Sequence, residues 1–324
     1  MHFFRPLFSS LAFGLALLLS AQKQATITPQ PNWRLGDKRQ VDVQNTMVVK
    51  TDGVTMEMKS SSSFVLEVTR AKKDGYELTV KAATAEPPVM KMRDAEGELP
   101  MDEANVMIDK FVKAVNAPLG KWQYRYDVDR NGKVIGRVEE KNEKDKLTEA
   151  MRQAMEAAIT VLASETDEPV RIPDAKIWFF VDSVYDAYMQ TQLNEMNYLL
   201  KVHATEFPLT GSLRVPVSVE DVQAPLYPGM PQAPGMMEAG LDKNDPNELV
   251  GRTIITYDPD AVYAYLEKDR PGMVKREGLH MVEESVEHVE KRGGWLTQST
   301  TATRLRSNAI TMDATTETRL KVVQ

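Results

Sequence analysis

VDVQNTMVVKTDGVTMEMKSSSSFVLEVTRAKKDGYELTV, residues 41–80, alternates apolar and polar side chains in runs broken by Asp-Gly. Val41, Val43, Asn45, Met47 and Val49 make one run; Val54, Met56 and Met58 a second; Phe64, Leu66 and Val68 a third; Tyr76, Leu78 and Val80 a fourth. A period of two buries one face of a strand and wets the other, as in an antiparallel sheet. Thr51-Asp52-Gly53 and Lys73-Asp74-Gly75 are hairpin turns, because Asp-Gly accepts positive φ at little cost. The C-terminus reads the same way. Leu279 to Glu290 fits a helical stripe or a strand, and its neighbours select the strand. Arg292-Gly293-Gly294 turns into Trp295–Arg306, and Ser307-Asn308 turns into Ile310–Val323.

Between these β regions the period changes. Ala104, Met107, Phe111 and Val115 recur at helical spacing and should stop at Asn116-Ala117-Pro118. Trp122–Asp127 and Lys133–Val138 form a hairpin, and Leu147, Met151, Ala154, Ala158 and Leu162 a second helix. A third opens at Pro173-Asp174, with Asp174 placed to cap its free N–H groups. Ala224–Asp245 is rich in Pro, Gly and Met without periodicity and reads as a long loop. Arg252–Tyr257 then reads as a strand, and Pro259-Asp260 opens a short helix. The expectation is an α+β fold: a curved antiparallel sheet of N- and C-terminal strands packed on a central group of helices. Residues 22–324 should form a single domain containing the 224–245 loop.

Residues 1–21 read as a signal peptide. Arg5 supplies the positive charge, Leu7–Leu19 is an apolar run too short to span a bilayer, and Ser20-Ala21 precedes the expected cut. The expected location is the periplasm or the exterior. The chain holds no cysteine, which excludes a disulfide framework and an acylated N-terminal cysteine. Its formal charge is −7 with no basic stripe, which argues against nucleic acid as a partner.

Asp127-Val128-Asp129-Arg130-Asn131-Gly132 matches the opening of an EF-hand loop, but Val138 stands where the bidentate Glu belongs and the flanks are strand-like. A hairpin turn accounts for these residues. Met56/Met58, Met90/Met92 and Met230 with Met236-Met237 are soft-metal ligand types, but their spacing is loose, and core packing and loop filling account for them. His203, His280 and His288 lack zinc-site spacing; the last two stand about 26 Å apart on a strand at ~3.3 Å per residue. Nucleophile elbows, Walker loops and dinucleotide fingerprints are absent, and acids such as Glu283-Glu284 read as a solvated strand edge. No catalytic residue, cofactor or metal is expected. Trp178, Phe179, Val181, Tyr185 and Tyr188, with Phe180 alongside, have two readings: lining an apolar ligand pocket under the sheet, or filling the helix–sheet core.

The opening Trp33-Arg34-Leu35-Gly36-Asp37, the Asp127–Gly132 hairpin after a helix and the closing Gly294-Trp295-Leu296…Ser299-Thr300 resemble uncharacterised exported proteins of Bacteroidetes-type bacteria. The strand–helix–strand order is more remotely similar to the half-barrel of bacterial lipoprotein carriers and related envelope lipid-binding proteins. The methionine content, the aromatic helix and the exported, unanchored state lead to the expectation of a non-enzymatic envelope protein binding a hydrophobic ligand or a lipidated client. The resemblance transfers no catalytic residue. The alternative is a structural or assembly partner of the envelope, docking another protein through its threonine-rich strands or the Pro/Met loop.

Overall fold

The computed structural model describes residues 25–51, 53–120, 122–164, 172–218, 233–269 and 275–323. The signal-peptide reading therefore lies outside the described residues. In chain order the elements are β1 (Thr26–Ile27), β2 (Lys38–Thr51), β3 (Val54–Ala71), β4 (Gly75–Arg93), β5 (Glu98–Leu99), α1 (Asp102–Leu119), β6 (Tyr124–Asp129) and β7 (Val134–Arg137). Next come α2 (Glu143–Ser164), α3 (Asp174–Leu200), a 3₁₀ turn (Lys201–Ala204), β8 (Phe207–Pro208), β9 (Ser212–Val217), β10 (Gly235–Asn244) and β11 (Glu248–Tyr257). Last are α4 (Pro259–Asp269), β12 (His280–Glu290), β13 (Leu296–Arg306) and β14 (Ile310–Val322).

Eleven strands lie side by side in the order β7-β6-β4-β3-β2-β14-β13-β12-β11-β10-β9, with β5 attached to β4; β1 and β8 pair separately. Every pairing among the described residues is antiparallel, as the alternation requires. The N- and C-terminal β regions join where β2 pairs β14 from Arg39↔Val322 to Thr51↔Ile310. Among the described residues the edge strands are the short β7 and β9, and β9 carries Pro216, so neither is a long template for another chain.

The runs read as separate strands in 54–68 are one strand of 18 residues, and β4 continues for 19, through Pro87-Pro88. Register explains the prolines: Ser61 pairs Glu86 and Lys59 pairs Val89, so both prolines bulge opposite Ser60 and no ladder N–H is missed.

The sheet is curved. A Cβ at Gly132, in the β6–β7 turn, would lie 2.5 Å from His203 Cβ, and one at Gly251 on β11 would lie 2.3 Å from the Phe207 ring. Seven strand spacings separate β6 from β11, or roughly 34 Å in a flat sheet. Four residues of chain and two side chains bridge at most about 27 Å. The sheet therefore wraps around the segment 203–207. The same end is closed by the segment 29–33: Trp33 stacks on Trp295 at 4.6 Å and meets His203 edge-on at 5.5 Å, and the Asn32 amide N–H donates to Gly293 O at 3.0 Å.

Three expectations need correcting. The span 224–245 is not one loop: residues 235–244 form β10, whose Ala239 is buried and whose backbone pairs both β9 and β11. That ladder supplies the regularity the side chains do not advertise; residues 219–232 lie outside the described residues. Helix α1 runs past Asn116 to Leu119, because Pro118 falls in its last turn, where little helix remains to be broken. Asp174 makes no side-chain cap; Pro173 holds the N-cap position and Asp174 stands in the first turn.

Candidate functional site

The inward face of the sheet is apolar at both ends and polar across its middle. On β12 the inward residues run Met281, Glu283, Ser285, Glu287, Val289; on β13 they run Leu305, Thr303, Thr301, Ser299, Leu296. Strand register aligns Thr253, Ser285, Thr301, Thr316, Asn45 and Ser60 into one row across six strands. Thr316 Oγ1 donates to Asn45 Oδ1 at 2.9 Å, and the Ser285 and Thr301 hydroxyls are paired at 2.9 Å. One apolar end packs under α4 through Val262, Leu279 and Leu305; the other meets Leu199, Leu200, Val202 and Phe207.

Lys201 reaches this row from above. Its Nζ donates to Ser285 Oγ at 2.6 Å and stands 3.4 Å from Glu283 and 3.6 Å from Glu287. Tyr257 OH donates to Glu283 at 3.2 Å. Burial acts to lower the Lys201 pKa, but Tyr198, Glu283 and Glu287 reverse it and hold the ammonium charged. Glu287 is 2% exposed, its Oε2 has no partner, and burial raises its pKa. The reading of Glu283-Glu284 as one solvated edge is thus half right: Glu284 lies 3.7 Å from exposed Arg252, whereas Glu283 points inward.

Where the row reaches β2 and β3, the sheet and helices border a half-open cavity of about 480 Å³. Val43, Phe64 and Val80 form its floor, and Tyr124 and Tyr126 of β6 its wall. Its roof is the C-terminal half of α3, where Tyr188, Gln192, Glu195, Met196 and Leu199 recur at helical spacing on one face. Val115 and Leu119 of α1 close one side, and Asn45, Ser62, Thr316 and Thr318 bring the polar row into the wall. The Tyr124 and Tyr188 hydroxyls pair at 2.6 Å, and Tyr126 OH donates to Gln192 O at 3.2 Å. Burial raises the pKa of all three tyrosines, so they remain neutral donors.

Of the five residues singled out in the sequence, Tyr188 lines this cavity. Val181, 1% exposed, and Tyr185 pack with Leu147 and Met151 of α2. Trp178 is 38% and Phe179 77% exposed, far along the helix from the cavity. One helix serves two partners: its first half grips α2 and its second half roofs the cavity. Sequence reasoning passed over Glu195, although an acid inside the 188–199 apolar stripe was a visible signal. The Glu195 side chain is exposed, and the partial loss of hydration against the protein around it raises its carboxyl pKa. Among the described residues it has no hydrogen-bond or ion-pair partner.

The other motifs have structural positions. Asp129 Oδ1 accepts from the Asn131 and Lys133 amides at 2.8 and 2.9 Å, making the 127–132 segment a hairpin turn. Met56 pairs Met92, and Met58 lies between Met47 and Met90 on adjacent strands. His288 Nδ1 lies 3.0 Å from Glu248, and His203 Nδ1–H donates to Pro29 O at 3.1 Å. Among the described residues no helix is long and apolar enough to cross a membrane, and no cluster of His, Asp and Glu could hold a metal ion.

No family model matches the chain, and no curated protein matches its sequence. Two solved structures resemble it at low similarity. One, described as lipid–protein interactions in lipovitellin, has a TM-score of 0.45 and 7% identity, covering 90% of this chain. The chain spans about a quarter of that protein's length (26%). The other, an outer membrane channel from Pseudomonas putida F1, has a TM-score of 0.17 and 6% identity, covering 93% of this chain and 98% of that one.

Proposed function

We propose that this chain is an exported, non-enzymatic binding protein that holds one apolar ligand between the sheet and α3. The observation that carries this reading is the cavity itself. Its volume falls within the usual range for small-molecule sites, roughly 300–1,000 Å³. Its lining mixes aliphatic and aromatic side chains with hydroxyls and amides, as an amphiphilic ligand requires. The apolar run Leu7–Leu19 behind Arg5 supports export. Docking through the threonine-rich strands has less support, because Thr301, Thr303, Thr316 and Thr318 are buried on the inward face.

The test is uptake of the neutral dye Nile red by detergent-free protein, beside native mass spectrometry of protein as purified and after delipidation. Saturable binding near one dye per chain is expected, and Val43→Trp, which fills the cavity floor, should abolish it while leaving the circular dichroism intact. No uptake by the wild type, or equal uptake by a folded Val43→Trp protein, would sink the reading.

A further inference from the structure

We propose that the cavity selects its ligand by charge: it admits an amphiphile whose polar end is uncharged or cationic and rejects one ending in an anion. This inference rests on the cavity being a binding site, as above. Among the described residues the wall holds no Lys, Arg or His, and Glu195 is its single charged side chain. The two cations that act on the cavity's tyrosines, Arg137 and Lys201, are already committed. Arg137, over the Tyr124 ring, is ion-paired with Glu143. Lys201 stands between Glu283 and Glu287, two carboxylates against one ammonium. An anionic head entering this space would meet no counter-charge in the lining and would face the Glu195 carboxylate, a like charge.

The remaining polar wall suits a neutral hydrogen-bonding head. Thr318 and Ser62 offer hydroxyls and Asn45 an amide, and the Tyr124–Tyr188 hydroxyl pair adds a donor and an acceptor. The apolar floor on β2, β3 and β4 would receive the tail. Glu195 is the group that decides the sign: ionised, it attracts an ammonium and repels a carboxylate, while a hydroxyl is left to the neutral hydrogen-bonding groups.

Three ligands with the same tail separate the terms: dodecanol, dodecylammonium and dodecanoate, competing with Nile red at pH 7.5. The first two should displace the dye, with dodecanoate weaker by about tenfold or more, the equivalent of one pKa unit of differential interaction. Glu195→Gln should remove the preference for dodecylammonium over dodecanol. Glu195→Lys, at a side chain already open to the cavity, should bring dodecanoate in. Dodecanoate binding the wild type as tightly as dodecanol, or no response of the ranking to Glu195→Lys, would overturn charge selection while leaving the binding site standing. If no tail binds and Nile red fails as well, the binding reading itself falls and takes this inference with it.

Discussion

The two ends of the α3 roof are built to different standards. At the 203–207 end, Phe207 is fully buried, His203 and Trp295 are sealed beside Trp33, and glycines at 132, 251 and 294 let backbone approach where a Cβ would collide. Over the cavity, α1 buries no residue, and Val106, Met107 and Phe111 remain substantially exposed. The first region has interior packing with no room to change. The second keeps space, hydroxyls and an unpartnered acid. Stability is concentrated where the sheet closes, which leaves the other end free to be hollow.

Four measurements would break or sharpen that contrast. The largest effect belongs to Phe207→Ala, which should cost about 3–5 kcal/mol in denaturant unfolding because the sheet cannot collapse onto the void. A loss below about 1 kcal/mol would show that this end is not the anchor.

His203 comes next. Burial lowers its pKa to about 4, and its Nε2 has no partner, so the folded protein holds the ring neutral. The unfolded chain binds the proton near 6.5. Stability should therefore be complete above that value and fall as pH drops towards 4, by roughly 3 kcal/mol in all. Raised carboxyl pKa values at Glu195 and Glu287 act in the opposite direction, so the informative quantity is the difference between wild type and His203→Gln across pH 4–7. Parallel profiles would remove His203 from the account.

Tyr188→Phe breaks the hydroxyl pair with Tyr124 and should cost about 1 kcal/mol, again by denaturant unfolding. Phe111→Ser on α1 should stay within about 0.5 kcal/mol, since the side chain is already exposed. If Phe111→Ser proved as damaging as Phe207→Ala, the distinction between the two ends would disappear.

Most of the fold was legible because alternation and Asp-Gly turns are local signals. The 41–80 hairpins, the 127–132 turn and the terminal strands all fall where those signals place them. What was not legible depended on partners. Residues 235–244 became a strand because β9 and β11 flank them. The threonines of β13 and β14 look like a wet face, yet those at 301, 303, 316 and 318 point inward, where register stacks them into a row that no single strand reveals. The site was legible only at Tyr188. The aromatic cluster at 178–185 attracted attention by composition, whereas the cavity formed further along the same helix, where Glu195 interrupts an apolar stripe.

The junction of β2 with β14 has a consequence for how the molecule is made. These strands are neighbours at the heart of the sheet but lie at opposite ends of the described chain. A ribosome delivers β2 long before β14 exists. During that interval a fourteen-residue strand presents a bare row of amide and carbonyl groups to whatever is nearby. Completion of the sheet is a late event by construction, and the nascent half-sheet is the species that a cell making this protein must shield.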